Sequence, residues 1–315
     1  MKRQYLRASS LLFNQPLLVT PDMLDLGVRW ANQAMSLNIV NLGAAVPAMW
    51  ADDESVDRMA MAEEQRRTEI AQTGIEVVPV SGVLVSRGSH ISMCETMTSY
   101  ESLRAQLRRA VADPLVERIV LDIDSPGGSA VGAFELAADI RAMAQQKPIT
   151  GLVNFMAYSG GYLLGSACTE LVVSQTSGVG SIGVIASHMD RSKMEEGMGV
   201  KVTTVFAGAH KNDLTPHEPL SEQSLRYLNE VVQESYQLFV NAVAEYRGLS
   251  AQQVIATEAG LYRGAAGIAA GLADRLQSPQ QAVDDLSRAV AQARMSRQSG
   301  RIGVRAAALQ MQTLN

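Results

Sequence analysis

From residue 75 onward, short apolar runs alternate with stretches of helical spacing. Residues 75–85 are β-branched and apolar, broken only by Ser81-Gly82, and predict a strand, a bend and a second strand. Residues 97–112 carry Tyr100, Leu103, Leu107, Ala110 and Val111 at helical spacing, and Pro114 separates this helix from the next strand. Residues 118–123 form a continuous apolar run, the mark of a strand buried on both faces. The stretch Asp124-Ser-Pro-Gly-Gly-Ser129 then reads as a tight turn before a helix over 130–146 that ends at Lys147-Pro148. A second buried strand, 149–155, leads through small residues at Ser159 into another helix. Further strands are predicted at 171–174 and 200–206, with a glycine-rich bend at 177–183 between them. A long amphipathic helix spans 221–246, with Leu225, Leu228, Val232, Tyr236, Phe239, Val240 and Val243 on one face. Two shorter helices come next, around Ala251 and Ala265.

Strands alternating with helices imply βαβ units, an α/β fold and a largely parallel sheet. Ordered structure is expected to begin at Ile75. Residues 1–73 form an N-terminal leader, with an amphipathic helix at 21–37 and a charged helix or mobile linker at 52–69. Residues 74–277 make the main domain. Residues 278–315 form a helical or disordered tail, set off by Pro279 and bearing five arginines against two aspartates.

Composition narrows the function. The chain has 315 residues, 47% hydrophobic and 19% charged, enough for a sizeable core. A net charge of −5 gives no basic field for nucleic acid. Cys94 and Cys168 match no metal spacing, nor do His90, His188, His210 and His217, so neither metal nor cofactor is expected. Lys2, Arg3 and Arg7 precede an apolar run that Asn14, Gln15 and Pro16 interrupt, so the N-terminus reads as mature sequence and not a signal peptide. No apolar run approaches the roughly 18 residues of a membrane helix. An intracellular protein without membrane or nucleic-acid partners is expected.

The chemistry centres on Ser159. A serine at a strand-to-helix turn is lifted clear of the backbone, beside peptide N–H groups that can hold a developing oxyanion. The plainer alternative is a helix N-cap followed by glycines. The loops at 124–129 and 157–161 lie at the carboxyl ends of strands, where α/β folds bind ligands. Gly127 and Gly128 can expose backbone N–H groups there, although the loop lacks a phosphate-binding pattern. A serine needs a base, and two candidates lie downstream, His188 and Lys211. Histidine would build a conventional triad, whereas lysine can serve when desolvation lowers its pKa. Spacing does not choose between them.

The ordered set Asp124-Ser-Pro-Gly-Gly, Tyr158-Ser-Gly-Gly-Tyr, Ser177-Gly-Val-Gly-Ser-Ile-Gly-Val, Gly208-Ala-His-Lys-Asn-Asp and residues 260–274 resembles the signal peptide peptidase A (S49) family of serine peptidases. Phe13-Asn-Gln-Pro-Leu-Leu and Val80-Ser-Gly-Val-Leu-Val-Ser-Arg look most like its capsid-assembly branch in lambda-type tailed phages. The resemblance implies a ClpP/crotonase-like fold of repeated ββα units with a helical C-terminal part. It implies a Ser-Lys dyad with Ser159 as nucleophile and Lys211 as general base, and gives His188 no catalytic role. Gly127 and Gly128 would flank the oxyanion hole, with the Gly160 N–H as second donor. It further implies ring-like homo-oligomers, a lysine that can come from a neighbouring protomer, and scaffold, portal and capsid proteins as substrates in the host cytoplasm or procapsid. The competing readings are a soluble host peptidase acting on signal peptides and a structural head protein with a relic site.

Overall fold

Along one strand, Ile119, Leu121 and Ile123 enter one buried cluster and Val120 enters another. That two-sided burial makes the strand, β4 (Arg118–Ser129), the centre of the sheet. The computed structural model describes residues 14–21, 23–24, 53–87 and 97–312. The helix expected at 21–37 falls almost wholly outside them.

Among the described residues nine strands form one sheet: β1 (Leu17–Val19), β2 (Ile75–Val85), β3 (Met97–Ser99), β4, β5 (Ile149–Tyr158), β6 (Glu170–Val173), β7 (Gly178–Gly180), β8 (Leu261–Arg263) and β9 (Arg275–Leu276). The main path runs β3-β2-β4-β5-β6-β9, and all its pairings are parallel. β7 also pairs in parallel with β5, while β1 on β4 and β8 on β7 are antiparallel. The fold is mixed α/β with a mostly parallel sheet, as the alternation of the sequence implies.

The larger cluster is covered by α2 (Tyr100–Ala112), α3 (Ala133–Ala144), α4 (Gly160–Ser166) and α6 (Glu222–Arg247). Helices α1 (Asp53–Thr73), α5 (Ser192–Gly197), α7 (Ala251–Ile255), α8 (Ala265–Ala269) and α9 (Pro279–Gln312) complete the set. On the other face, Ala282, Leu286 and Val290 of α9 pack on Ile75, Val120, Leu152 and Val172. Arg294 donates to Glu117 at 2.6 Å and to the carbonyls of Ala71 and Gln72, tying α9 to the end of α1. The front of the tail is therefore part of the core.

Several elements differ from the sequence expectation. Strand β1 precedes Ile75, while the charged stretch at 52–69 is helix α1, one of its two expected forms. β2 is a single strand whose register shifts between Ser81 and Val83, so the predicted bend is a bulge. β4 continues through Asp124 to Ser129, where a turn is expected, because two neighbouring strands hydrogen-bond that stretch. Residues 200–206 pair with no strand among the described residues, and Val205 and Phe206 stand 93% and 51% exposed. A β-branched stretch alone cannot satisfy its backbone without a ladder partner.

Beyond α8, Asp274 joins three elements. Its carboxylate accepts from Arg247 of α6 at 2.7 and 2.8 Å and from the Leu171 N–H of β6 at 2.7 Å. Burial pushes this carboxyl up, but the Arg247 and Leu171 hydrogen bonds outweigh it and hold the group below its ordinary value. Arg247 is nearly buried while Asp274 is 38% exposed, so screening trims the pair's worth. Asp274→Asn should cost about 1.5 kcal/mol in urea denaturation at neutral pH. A lowered carboxylate pKa stabilises above the unfolded value, so the difference between wild type and variant should narrow as pH falls below about 4.

Candidate active site

Strand β5 changes neighbours along its length and so delivers Ser159 to an edge. Thr150 to Val153 pair with β6, and Met156 to Tyr158 pair with β7. Ser159 follows with φ 52° and ψ −117°, in the half of backbone space that L-residues avoid. Its N–H donates to the Gly180 carbonyl at 2.8 Å, and its own carbonyl accepts from Leu163 in the first turn of α4. Such a conformation costs on the order of 1–3 kcal/mol and persists only when surrounding bonds impose it. The side chain does not cap the helix. Ser159 is fully buried, and its Oγ has no hydrogen-bond partner. Ser159 thus occupies the N-cap position without making the side-chain bond of a cap.

The two glycines lie beside this serine between two backbones. A Cβ on Gly127 would sit 1.9 Å from the Leu18 carbonyl oxygen and 2.8 Å from the Gly160 nitrogen. A Cβ on Gly128 would sit 1.9 Å from the Leu84 carbonyl oxygen. Only glycine permits this approach, and Gly127 also needs it for its φ of 100°. The Gly127 N–H is already used: it donates to Ser125 Oγ at 3.1 Å, and Ser125 in turn donates to the Gly82 carbonyl at 2.6 Å. The Gly128 N–H is oriented differently. Bonds from Thr20 N–H to the Pro126 carbonyl and from Ala130 N–H to the Pro16 carbonyl flank the Leu18–Gly128 pair. Antiparallel alternation then makes Leu18 and Gly128 a hydrogen-bonded pair, with the Gly128 N–H facing the Leu18 carbonyl.

Neither base candidate hydrogen-bonds the Ser159 hydroxyl. His188 uses Nδ1 on Asn14 Oδ1 at 3.0 Å, and its Nε2 has no partner. Burial pushes the His188 pKa down, favouring the neutral ring. Lys211 follows Gly208 in an exposed turn, its N–H bonded to the Gly208 carbonyl, and makes no hydrogen bond to Ser159. Among the described residues no group of His, Cys, Asp or Glu could hold a metal ion, and no helix is long and apolar enough to cross a membrane.

Residues 141–293 match the model of Peptidase family S49. The chain is 37% identical over 298 residues to capsid assembly protease C of Escherichia phage lambda, covering 93% of itself and 67% of that protein. The chain belongs to peptidase family S49. Another relative is the head-tail preconnector protein GP5 of Enterobacteria phage P21, 36% identical over 92% of this chain. The chain spans only 58% of that protein's length. Among solved structures, a ClpP1 mutant from Listeria monocytogenes aligns over 70% of this chain and 99% of its own, with 11% identity and a TM-score of 0.43.

Within this S49 chain, sequence reasoning missed four contributors: Asn14, strand β1, Ser125 and Gly180. Ser125 lies inside the Asp124-Ser-Pro-Gly-Gly stretch, where a buried serine two residues before a glycine is a usable signal for a side-chain-to-backbone turn. The run Leu17-Leu18-Val19 carried the β1 signal, but three residues are too few for a period to show. Ser125→Ala strands the Gly127 N–H and the Gly82 carbonyl in the interior. It should cost about 2 kcal/mol in urea denaturation and speed hydrogen exchange at Gly127; unchanged values on both would contradict this role.

Proposed function

We propose that this chain is a Ser-Lys endopeptidase of phage head assembly. The observation that carries the reading is the buried Ser159 hydroxyl, without a hydrogen-bond partner among the described residues, on a strained strand-to-helix bend where Gly127 closely approaches Gly160. In this mechanism Ser159 Oγ attacks the scissile carbonyl carbon and Lys211 takes its proton. The N–H groups of Gly128 and Gly160 stabilise the tetrahedral oxyanion, while Gly127 supplies room through its missing Cβ. Lys211 then protonates the leaving amine, and water hydrolyses the acyl-enzyme. Losing an oxyanion donor in such a site costs about a hundredfold or more in rate.

The base comes from a neighbouring protomer of a ring-like homo-oligomer. Two features support this: Lys211 is exposed and makes no bond to its own Ser159, and residues 200–206 just before it, with Val205 and Phe206 exposed, pair with no strand among the described residues. The names of the two phage relatives support substrates drawn from the assembling head: scaffold, portal and capsid proteins, and the chain itself. The reaction takes place in the host cytoplasm or inside the procapsid. Residues 74–277 form the catalytic unit, residues 1–73 a leader and residues 278–315 a tail.

Ser159→Ala and Lys211→Ala should each abolish cleavage of the cognate scaffold protein, read by intact mass, with circular dichroism unchanged. Mixing and reassembling the two inactive variants should restore part of the activity, because a Ser159 from one protomer then meets a Lys211 from another. Full cleavage by Lys211→Ala alone would overturn the dyad, and a dead mixture would overturn its completion between protomers.

A further inference from the structure

Strand β1 has the form of a bound peptide. One edge pairs antiparallel with Gly127, Gly128 and Ser129 of β4. On the other edge, Leu17 N–H donates to the Ile185 carbonyl at 2.8 Å and the Ile185 N–H donates back at 3.1 Å. An extended segment held by backbone bonds between strand β4 and the bridge residue Ile185 has the geometry of peptide recognition by strand addition. The Leu18 side chain is fully buried, in the same cluster as Ala157 and Tyr162 on either side of Ser159. The Leu18 carbonyl faces the Gly128 N–H and packs against Gly127 and Gly160.

The segment is also anchored at its start. Asn14 adopts φ 62°, and its N–H donates to the Ser187 carbonyl at 2.9 Å. Its side-chain amide donates to the Leu214 carbonyl at 3.0 Å, while its Oδ1 meets His188 Nδ1. An amide oxygen only accepts, so Nδ1 carries the ring proton. Leu214 lies in the same turn as Lys211, so Asn14 holds the leader and the lysine-bearing loop together.

We propose that residues 14–20 are an intramolecular pseudosubstrate: they fill the peptide cleft, place Leu18 where the residue before a scissile bond would lie, and keep the site closed until displaced. The inference rests on the peptidase reading and names both the regulation of that site and its preferred ligand. That ligand is an extended peptide with a leucine-sized apolar side chain at the Leu18 position. A tethered segment competes at millimolar effective concentration, so weak binding suffices for inhibition.

The test uses the full chain carrying Asn14→Ala and Leu17→Pro, which removes the anchor and the bond to Ile185 while leaving Leu18 in place. The rate of Ser159 acylation by a fluorophosphonate is followed by intact mass. The variant should react at least about tenfold faster than wild type. The free peptide Asn-Gln-Pro-Leu-Leu-Val-Thr should slow it again, and the same peptide with aspartate in place of the second leucine should not. Equal labelling of Ser159 in both chains would overturn the inference and leave the peptidase reading intact. No labelling of Ser159 in either would overturn the peptidase reading, and the inference with it. A second measurement avoids variants: an excess of a peptide boronic acid should accelerate hydrogen exchange at Leu17 and Thr20 in wild type, and unchanged protection with the boronate bound would refute the proposal.

Discussion

The squeeze of Gly127 and Gly128 between two backbones governs this structure. The carbonyls of Leu18 and Leu84 approach so closely that no side chain fits at either glycine. Because both glycines stay in the ladder, Gly127 at a φ of 100°, β4 can carry its pairing past the carboxyl end of its apolar run to the neighbourhood of Gly160. Ser125 fixes that edge from within by joining Gly127 to Gly82, and so spends one N–H, while the Gly128 N–H faces the Leu18 carbonyl. The polar groups of the cleft are thus mostly backbone, set by strand register and not by side-chain rotamers.

Ser159 depends on the same register. β5 leaves β6 and takes β7 as partner, and the bond from Ser159 N–H to Gly180 holds the bend that aims the hydroxyl away from the helix it precedes. Strain and burial are tolerated because the surrounding bonds are complete, while the hydroxyl itself is left without a partner. Among the described residues no side chain bonds the Ser159 hydroxyl. In the proposed mechanism association supplies the lysine, and displacement of residues 14–20 opens the site. Both events involve one turn, which bears Lys211 and accepts the Asn14 amide at Leu214.

The sequence made much of this legible. The apolar runs at 118–123 and 149–153, the helical spacing of Leu103 and Leu107, and the small residues around Ser159 marked the central strands, their helices and the bend, although Phe155 at the end of the second run is exposed. What stayed hidden was long-range pairing. The Asp124-Ser-Pro-Gly-Gly stretch has turn composition, yet it is strand because Leu18 and Leu84 lie on either side, a fact no local window contains. Leu17 to Val19 looked like a broken export signal because their role is set by a partner more than a hundred residues away. Conversely, residues 200–206 have strand composition and no ladder, since no strand lies beside them among the described residues.

The most direct test is a crystal structure of the assembled protein acylated at Ser159 by a peptide inhibitor. The expected result is an acyl carbonyl oxygen within about 3 Å of the Gly128 and Gly160 nitrogens, the inhibitor paired with Gly127 to Ser129 in place of residues 17–19, and a neighbouring protomer's Lys211 beside the ester. An acyl oxygen turned away from both amides, with β1 still seated on β4, would contradict it.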